Sequence, residues 1–508
     1  MTDPSEAPGD ATTDQIRGSS LLLGGRLLGH AANMLTQVVV VRALTKSAYG
    51  AFAYAFSVET LFRTLVSAGH GRFLSRFLSI YEEERDYPKL FGALVTATAS
   101  VAVLALPVLG GAWLLRDQLG DVLVDDPRAV GLVLVFMLLA PLEAFDQIFV
   151  SMFAVFSRPR MIFFRKHVVG PGVRLVLVAA LALAGRGALG FAWAYVVSGA
   201  VGIAVYAWIA RPVLRERGLL GRVRTRELSF PVREMWRFAI PLFTAELVNI
   251  SMGTGSVLLL GHLRDTAEVA AYRAVFPAAR LNQLVMFSFV ALFLPLAARH
   301  FARNDQQGMT EAYWRTAVWI AVLSFPIFAV TGPLAGDTAT LLFGARYGES
   351  AAVLAVLSIG FYFNAVLGFN AVTLQTYGRL RYVVGVNASA AVLNLALAIP
   401  LAAEAGAVGV AVSNAATLVV QNLLNQYGLR RLGLVAFPRH RLRPYGIVAT
   451  AAGLLWLVVA LLDPHVAVAV ALAAATSAAV LLATRRDLSI ADTFPEVRRL
   501  PLLGRILG

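Results

Sequence analysis

The chain has 508 residues, 58% of them hydrophobic and only 15% charged, with a mean hydropathy of +0.70; that balance excludes an ordinary soluble globular protein. Cysteine is absent, which excludes a disulfide framework, a thiolate nucleophile and a cysteine-ligated metal. The net charge of +14 does not imply nucleic acid, because the basic residues stand mostly in short loops between apolar stretches, where they report membrane topology.

Residues 1–17 are polar and acidic and read as a disordered cytoplasmic tail, not a signal peptide. Apolar stretches follow at 19–41, 51–68, 90–115, 129–150, 168–184, 189–210, 238–262, 275–297, 313–331, 351–374, 383–401, 408–427, 445–462 and 466–483. A span needs about 20 residues, so the expectation is an all-α polytopic membrane protein of about 14 transmembrane helices. The even-numbered loops are basic: Arg72, Arg76, Arg85 and Lys89; Arg158, Arg160, Arg165 and Lys166; then eight arginines from Arg211 to Arg237. The odd-numbered loops hold scattered ones beside acids, which places both termini inside. The longest connection contains Pro212, Gly218, Gly221 and Pro231 and reads as a hinge.

An internal repeat divides the chain at that hinge. Arg160 and Arg379, Gly187 and Gly406, and Gly190 and Gly409 share one offset (379 − 160 = 406 − 187 = 409 − 190 = 219), and Leu44 with Leu263 keeps it. The expected organisation is a lobe of six helices over 18–210, a cytoplasmic linker over 211–237, a second six-helix lobe over 238–429, two accessory helices over 430–484 and a basic tail over 485–508. Two parallel repeats suit alternating access to a central site.

Polar residues interrupt the spans in patterns. Arg26, His30, Asn33 and Gln37 recur at spacings of four, three and four, on one helical face. An arginine at mid-membrane costs roughly 2.5–3.5 kcal/mol even on the lenient insertion scale, so this face looks onto protein or water. Glu59 and Arg63, four apart, are placed to pair on the next helix. With Arg174 and Arg280, and Arg273 nearer a span end, these residues suggest a cationic cavity. A guanidinium fork suits phosphate, so the set fits a phosphate or diphosphate headgroup; the structural alternative is that each arginine pairs internally, as Arg63 would with Glu59.

The carboxylates Glu59, Glu143, Asp146 and Glu246 could couple transport to Na⁺ or H⁺, or simply counter Arg174 and the arginines at helix ends. Glu246, Asn249 and Gly253 share a face. Asn282, Gln283, Asn364, Asn370, Asn387, Asn394, Asn414, Gln421 and Asn425 read mainly as interhelical glue, with Asn33, Gln37, Asn249, Gln283 and Asn364 also candidates to line the cavity and meet sugar hydroxyls. No GxxxxGK[ST], HExxH or GxSxG signature is present, so neither an enzyme nor a bound cofactor or metal is expected.

The stretches VVVVRALTKSAYGAFAYAFSVETLF, GRFLSRFLSIYEEERDYPKLFG, VLLLGHLRDTAEVAAYRAVFPAARL and LLFGARYGESAAVLAVLSIGFYFNAVLGFNAVTLQTYGR resemble the oligosaccharide flippases of the MOP exporter superfamily, relatives of the MATE antiporters and lipid II flippases. The resemblance runs from about Gly18 to Leu429. It implies two lobes in a V-shaped arrangement that carry polyprenyl-diphosphate-linked oligosaccharide to the outer leaflet of the plasma membrane. It also implies a cationic cavity at Arg26, Arg63 and Arg280, and a glycan polymerase or glycosyltransferases as partners, with no nucleic acid. In the lipid II branch the last two helices help form a lipid-tail groove, a role the helices at 445–462 and 466–483 would share. Ser256 stands where the related run D-x-x-x-L-G-Y begins with Asp, against an ion role there. The competing expectation is a MATE-like ion-coupled exporter of small organic molecules, which would want an acidic or aromatic cavity.

Overall fold

The computed structural model describes residues 25, 28–67, 70–118, 126–156, 163–216, 228–237, 239–240, 250–434 and 442–488. Among these every regular element is helical and no strand occurs. Among the described residues nine helices are long and apolar enough to cross a membrane, and a tenth candidate, 266–302, is bent by 50°. The longest, Leu380–Arg431, is two spans in sequence, because Ala405 (φ −122°) and Gly406 (φ 54°, ψ −130°) leave helical geometry between them. Gly406 is one of the repeat glycines, and its positive φ is a conformation that a side chain would oppose.

Aspartates start several helices. Asp86 accepts from the Lys89 N–H, Asp126 from that of Arg128 and Asp305 from that of Gly308. Each neutralises orphan donors and favours the positive end of the helix dipole.

The chain divides into two compact units. The first comprises residues 1–250 and 265–270. Its described helices are α1 (28–43), α2 (Lys46–Ser67), α3 (His70–Glu83), α4 (Tyr87–Leu114), α5 (Pro127–Met137), α6 (Leu139–Val155), α7 (Gly170–Leu183), α8 (Ala188–Glu216) and the short α9 (232–237). The π-helical turn Phe163–Val169 leads into α7. Phe52 and Phe56 of α2 meet Phe136 of α5 and Tyr195 of α8 edge to face, with centroids 4.9–5.8 Å apart, and this cluster ties α2 to its neighbours.

Two stretches read as inner loops take other forms. Residues 70–83 fold as α3, whose Phe73, Leu74, Leu78 and Tyr81 are buried at helical spacing. Arg165 is not a loop residue but sits in the π-helical turn, buried. Nor do the ends of the linker stand apart: 211–216 continue α8, and 228–237 lie against α3 and α4.

The second unit, residues 251–264 and 271–508, contains α10 (Ser256–Leu263), most of α11 (Thr266–Arg280), α12 (Leu284–Ala302), α13 (Gln306–Thr331), α14 (Ala335–Phe343), α15 (Ala351–Val366), α16 (Asn370–Thr376), α17 (Leu380–Arg431), α18 (Leu442–Leu462) and α19 (Val466–Leu488). α15 and α16 are one span interrupted at Leu367–Phe369, where Gly368 has φ +70°. Carbonyls freed by the break need partners inside a membrane. Tyr445 of α18 donates its hydroxyl to the Val366 carbonyl at 2.9 Å, and Tyr313 of α13 donates to that of Leu367. Val448, Leu455, Ala469, Ala473 and Val480 join α18 and α19 to the core of α13, so the last two helices are part of this unit's packing.

Candidate functional site

Charged side chains converge inside the first unit from four elements. On α2, Glu59 is 1% exposed and Arg63 reaches it at 3.2 Å. A one-turn spacing on a helix makes this contact short and cheap in entropy. Arg63 also lies 4.0 Å from Glu143 of α6, which in turn lies 3.6 Å from Arg174 of α7. Arg174 donates to Ser198 at 3.3 Å and stands over the Tyr195 ring at 4.5 Å, both on α8. The result is a chain Glu59, Arg63, Glu143, Arg174, in which the two middle side chains are each a little over one-third exposed. An ion between span ends cannot be left to hydrocarbon, so that exposed part faces water, protein or cargo.

One turn along α6, Asp146 pairs with Arg165, whose guanidinium lies 5.0 Å from the Tyr206 ring centroid. Gly170 and Gly202 make room for it, since a Cβ at either would collide with the guanidinium. A π-helical turn shifts the register of the side chains that follow it, and such turns recur at functional positions.

Of the first-span candidates, His30 and Asn33 are exposed on α1 and Gln37 donates to the Tyr49 hydroxyl of α2. Arg26, Glu246 and Asn249 lie outside the described residues.

In the second unit the polar groups are mostly uncharged. Gln283 donates to Asn364, Asn282 to Thr331 at 2.9 Å, Asn370 to Asn422 at 2.9 Å and Gln421 to Asn387 at 2.9 Å. Ser256 donates to Asn394 at 2.9 Å, and Ser413 closes the group by donating to the Asn394 carbonyl at 2.8 Å. These contacts are helix-to-helix amide glue. Arg280 is exposed at the end of α11, and Arg273 lies 5.9 Å from the Phe276 ring centroid.

Spacing alone pairs Glu59 with Arg63. It does not find Arg165, Tyr195, Ser198 or Tyr206, whose partners come from other helices; the signal available was the Tyr195–Ser198 step of three on α8. Among the described residues, no group of three or more acids or histidines is placed to hold a metal.

The profile of the family described as "Polysaccharide biosynthesis protein" matches residues 16–301, and that of the MatE family matches 241–399. No curated protein matches the sequence. Among solved structures, the inward closed lipid II flippase MurJ superposes with a TM-score of 0.71 at 11% identity, covering 93% of this chain and 100% of that one. An inward-facing multidrug resistance MATE transporter of the MOP superfamily gives 0.65 at 15% identity, covering 79% and 94%. A MOP superfamily transporter from Pyrococcus furiosus, described as having reverse polarity of its binding pocket, gives 0.54 at 14% identity, covering 83% and 96%. At these identities the likeness establishes the fold.

Proposed function

Since the chain belongs to the polysaccharide biosynthesis protein family, a multi-pass membrane family of the MOP superfamily, we propose that it is a flippase moving a polyprenyl-diphosphate-linked oligosaccharide to the outer leaflet by alternating access. The observation that carries this reading is the Glu59–Arg63–Glu143–Arg174 chain. Two guanidiniums share one partly exposed carboxylate, and a diphosphate offers them better-matched, more highly charged acceptors.

With Asp146 and Arg165 the set holds three arginines and three acids, formally neutral. A diphosphate entering beside Arg63 and Arg174 therefore meets the charge of Glu143. Neutralising that side chain, as Glu143→Gln would, removes the repulsion. Arg26 and Arg280 would extend the cationic surface, and Asn33, Gln37, Gln283, Asn364 and Asn249 would meet sugar hydroxyls. In this reading the six-helix lobes over 18–210 and 238–429 rock about the linker at 211–237, the termini are cytoplasmic in the plasma membrane, and a glycan polymerase or glycosyltransferases work beside the protein.

The acids Glu59, Glu143 and Asp146, with the MatE match, favour a second reading, an ion-coupled exporter of small organic molecules such as organic cations. Native mass spectrometry of the purified protein separates the two. Polyprenyl-diphosphate sugar is expected to bind saturably to wild type and to be lost in Arg63→Ala, Arg174→Ala and Arg280→Ala, with no displacement by an organic cation. Binding of the cation alone would transfer the protein to the exporter reading.

A further inference from the structure

The segment 228–237, at the end of the linker, is fixed to the first unit by its backbone. The Ser229 N–H donates to the Pro88 carbonyl at 3.3 Å, and the Ser229 carbonyl lies so close to Gly92 of α4 that a Cβ there would collide with it. Glu234 accepts from the Tyr81 hydroxyl of α3 at 3.2 Å, and Trp236 meets the His70 ring edge-on at 5.6 Å. Met235 of α9 is fully buried.

This docking forms an open cavity of about 640 Å³ between α3 and α9, lined by Phe77, Arg233, Glu234 and Arg237. Its wall is aromatic and its charge is net positive. Glu234, its acid, already accepts from Tyr81. Arg76 flanks the wall, 5.5 Å from the Phe77 ring centroid.

The depth of the cavity follows from Gly92. It lies five residues into α4, about 8 Å along a helix that begins at Tyr87 and is long and apolar enough to cross a membrane. The docked segment therefore runs at headgroup level. Beside the cavity Phe230 and Val232 are 52% and 46% exposed, a state that suits acyl chains and not water. Apolar side chains toward the acyl region and arginines toward the headgroups are the signature of a surface that holds anionic lipid.

We infer that the cavity between α3 and α9 is a binding site for the headgroup of an anionic phospholipid, with Arg233 and Arg237 taking the phosphate and Phe77 packing against the glycerol and upper acyl carbons. The lipid would fasten the end of the linker to the membrane surface as well as to α4. This site is separate from the charged chain on α2, α6 and α7, and it does not depend on which cargo is carried.

The test is native mass spectrometry of the full-length protein released from nanodiscs of equal phosphatidylglycerol and phosphatidylcholine. Wild type is expected to retain phosphatidylglycerol in preference. Each of Arg233→Gln and Arg237→Gln should weaken retention about fivefold, near what one basic residue contributes at a charged membrane surface, and the double variant should abolish the preference. Arg379→Gln with Arg381→Gln, a basic pair elsewhere, should leave it unchanged. Both arginines of the site are exposed, so folding is expected to survive, which the unchanged thermal midpoint of the double variant would show. Equal loss in the Arg379 and Arg381 variant, or displacement of the lipid by millimolar inorganic phosphate, would overturn the proposal, the first by making the effect nonspecific and the second by making the ligand a free anion.

Discussion

In the first unit the polar groups linked between span ends include six ions, Glu59, Arg63, Glu143, Asp146, Arg165 and Arg174, joined from α2, α6, α7 and the turn before it. In the second they are amides and hydroxyls, such as Ser256, Asn394, Ser413, Asn370 and Asn422, which satisfy one another. The two units differ in what their interiors can sense. An ionic chain at low dielectric responds strongly to a charge entering beside it, whereas a closed amide network is nearly indifferent to one. The described interior of the first unit is therefore the more responsive of the two to charge, with Arg273 and Arg280 on α11 the second unit's cations.

The largest expected effect is on ligand binding. Arg174→Ala should weaken binding of a polyprenyl-diphosphate sugar about a hundredfold, or roughly 3 kcal/mol, the scale of a charge-assisted hydrogen bond in a desolvated site. Ser413→Ala should change it less than about threefold. Equal losses, read by the same mass titration, would erase the distinction between the units. Glu143→Gln should raise the affinity, because the neutral amide no longer repels the diphosphate; unchanged or weaker binding would show that Glu143 does not face the lipid.

Next comes stability. Arg63→Ala leaves Glu59 buried beside no cation as close, a cost of order 3 kcal/mol. Glu59→Gln added to Arg63→Ala should restore more than half of the lost thermal stability in detergent. Failure of that rescue would show that Arg63 acts through packing. A glycine pair probes the same contrast. Gly202→Ala drives a methyl into the Arg165 guanidinium and should cost about 1–3 kcal/mol, while Gly385→Ala, where nothing lies within 4 Å, should be neutral or slightly stabilising.

Much of this was legible in the sequence. The spans follow from hydropathy, the offset of 219 anticipates that Gly406 marks a chain reversal, and the four-residue step finds Glu59 with Arg63. Three amide contacts of the second unit, Asn282 with Thr331, Asn370 with Asn422 and Gln421 with Asn387, join separate stretches as interhelical glue. α3 escaped because an amphipathic helix has no continuous apolar run, and its arginines read like those of a loop. Arg165 escaped because burial of a charge depends on partners distant in sequence: Asp146 on one helix, Tyr206 on another and two glycines that leave it room. No local pattern encodes that meeting.

A smaller effect is expected at Ser256→Ala, about 1 kcal/mol, typical of a hydrogen bond between membrane helices. Transport in proteoliposomes should be unchanged; its loss would give the second unit an ionic role after all. The smallest is outside the membrane. The Gly308 N–H, and then His300, hold the Asp305 carboxyl below its ordinary value. Its contribution is therefore present above the ordinary carboxylate value, about 3.9, and is lost as pH falls through the lower folded value. Asp305→Asn should remove that acid dependence from the thermal midpoint and leave the neutral-pH midpoint almost unmoved.

The hydroxyl of Tyr445 on the Val366 carbonyl has a practical consequence for watching the protein at work. It joins α18 to the interrupted span, Arg443 and Asp487 tie α18 to α19 at 3.0 Å, and the apolar contacts with α13 close the assembly. A spin label or fluorophore on the turn at Asp463–His465 would thus ride rigidly with the second unit. Paired with a label on α3, it becomes a ruler that tests whether the two units move apart or together when cargo is added, as the proposed cycle requires.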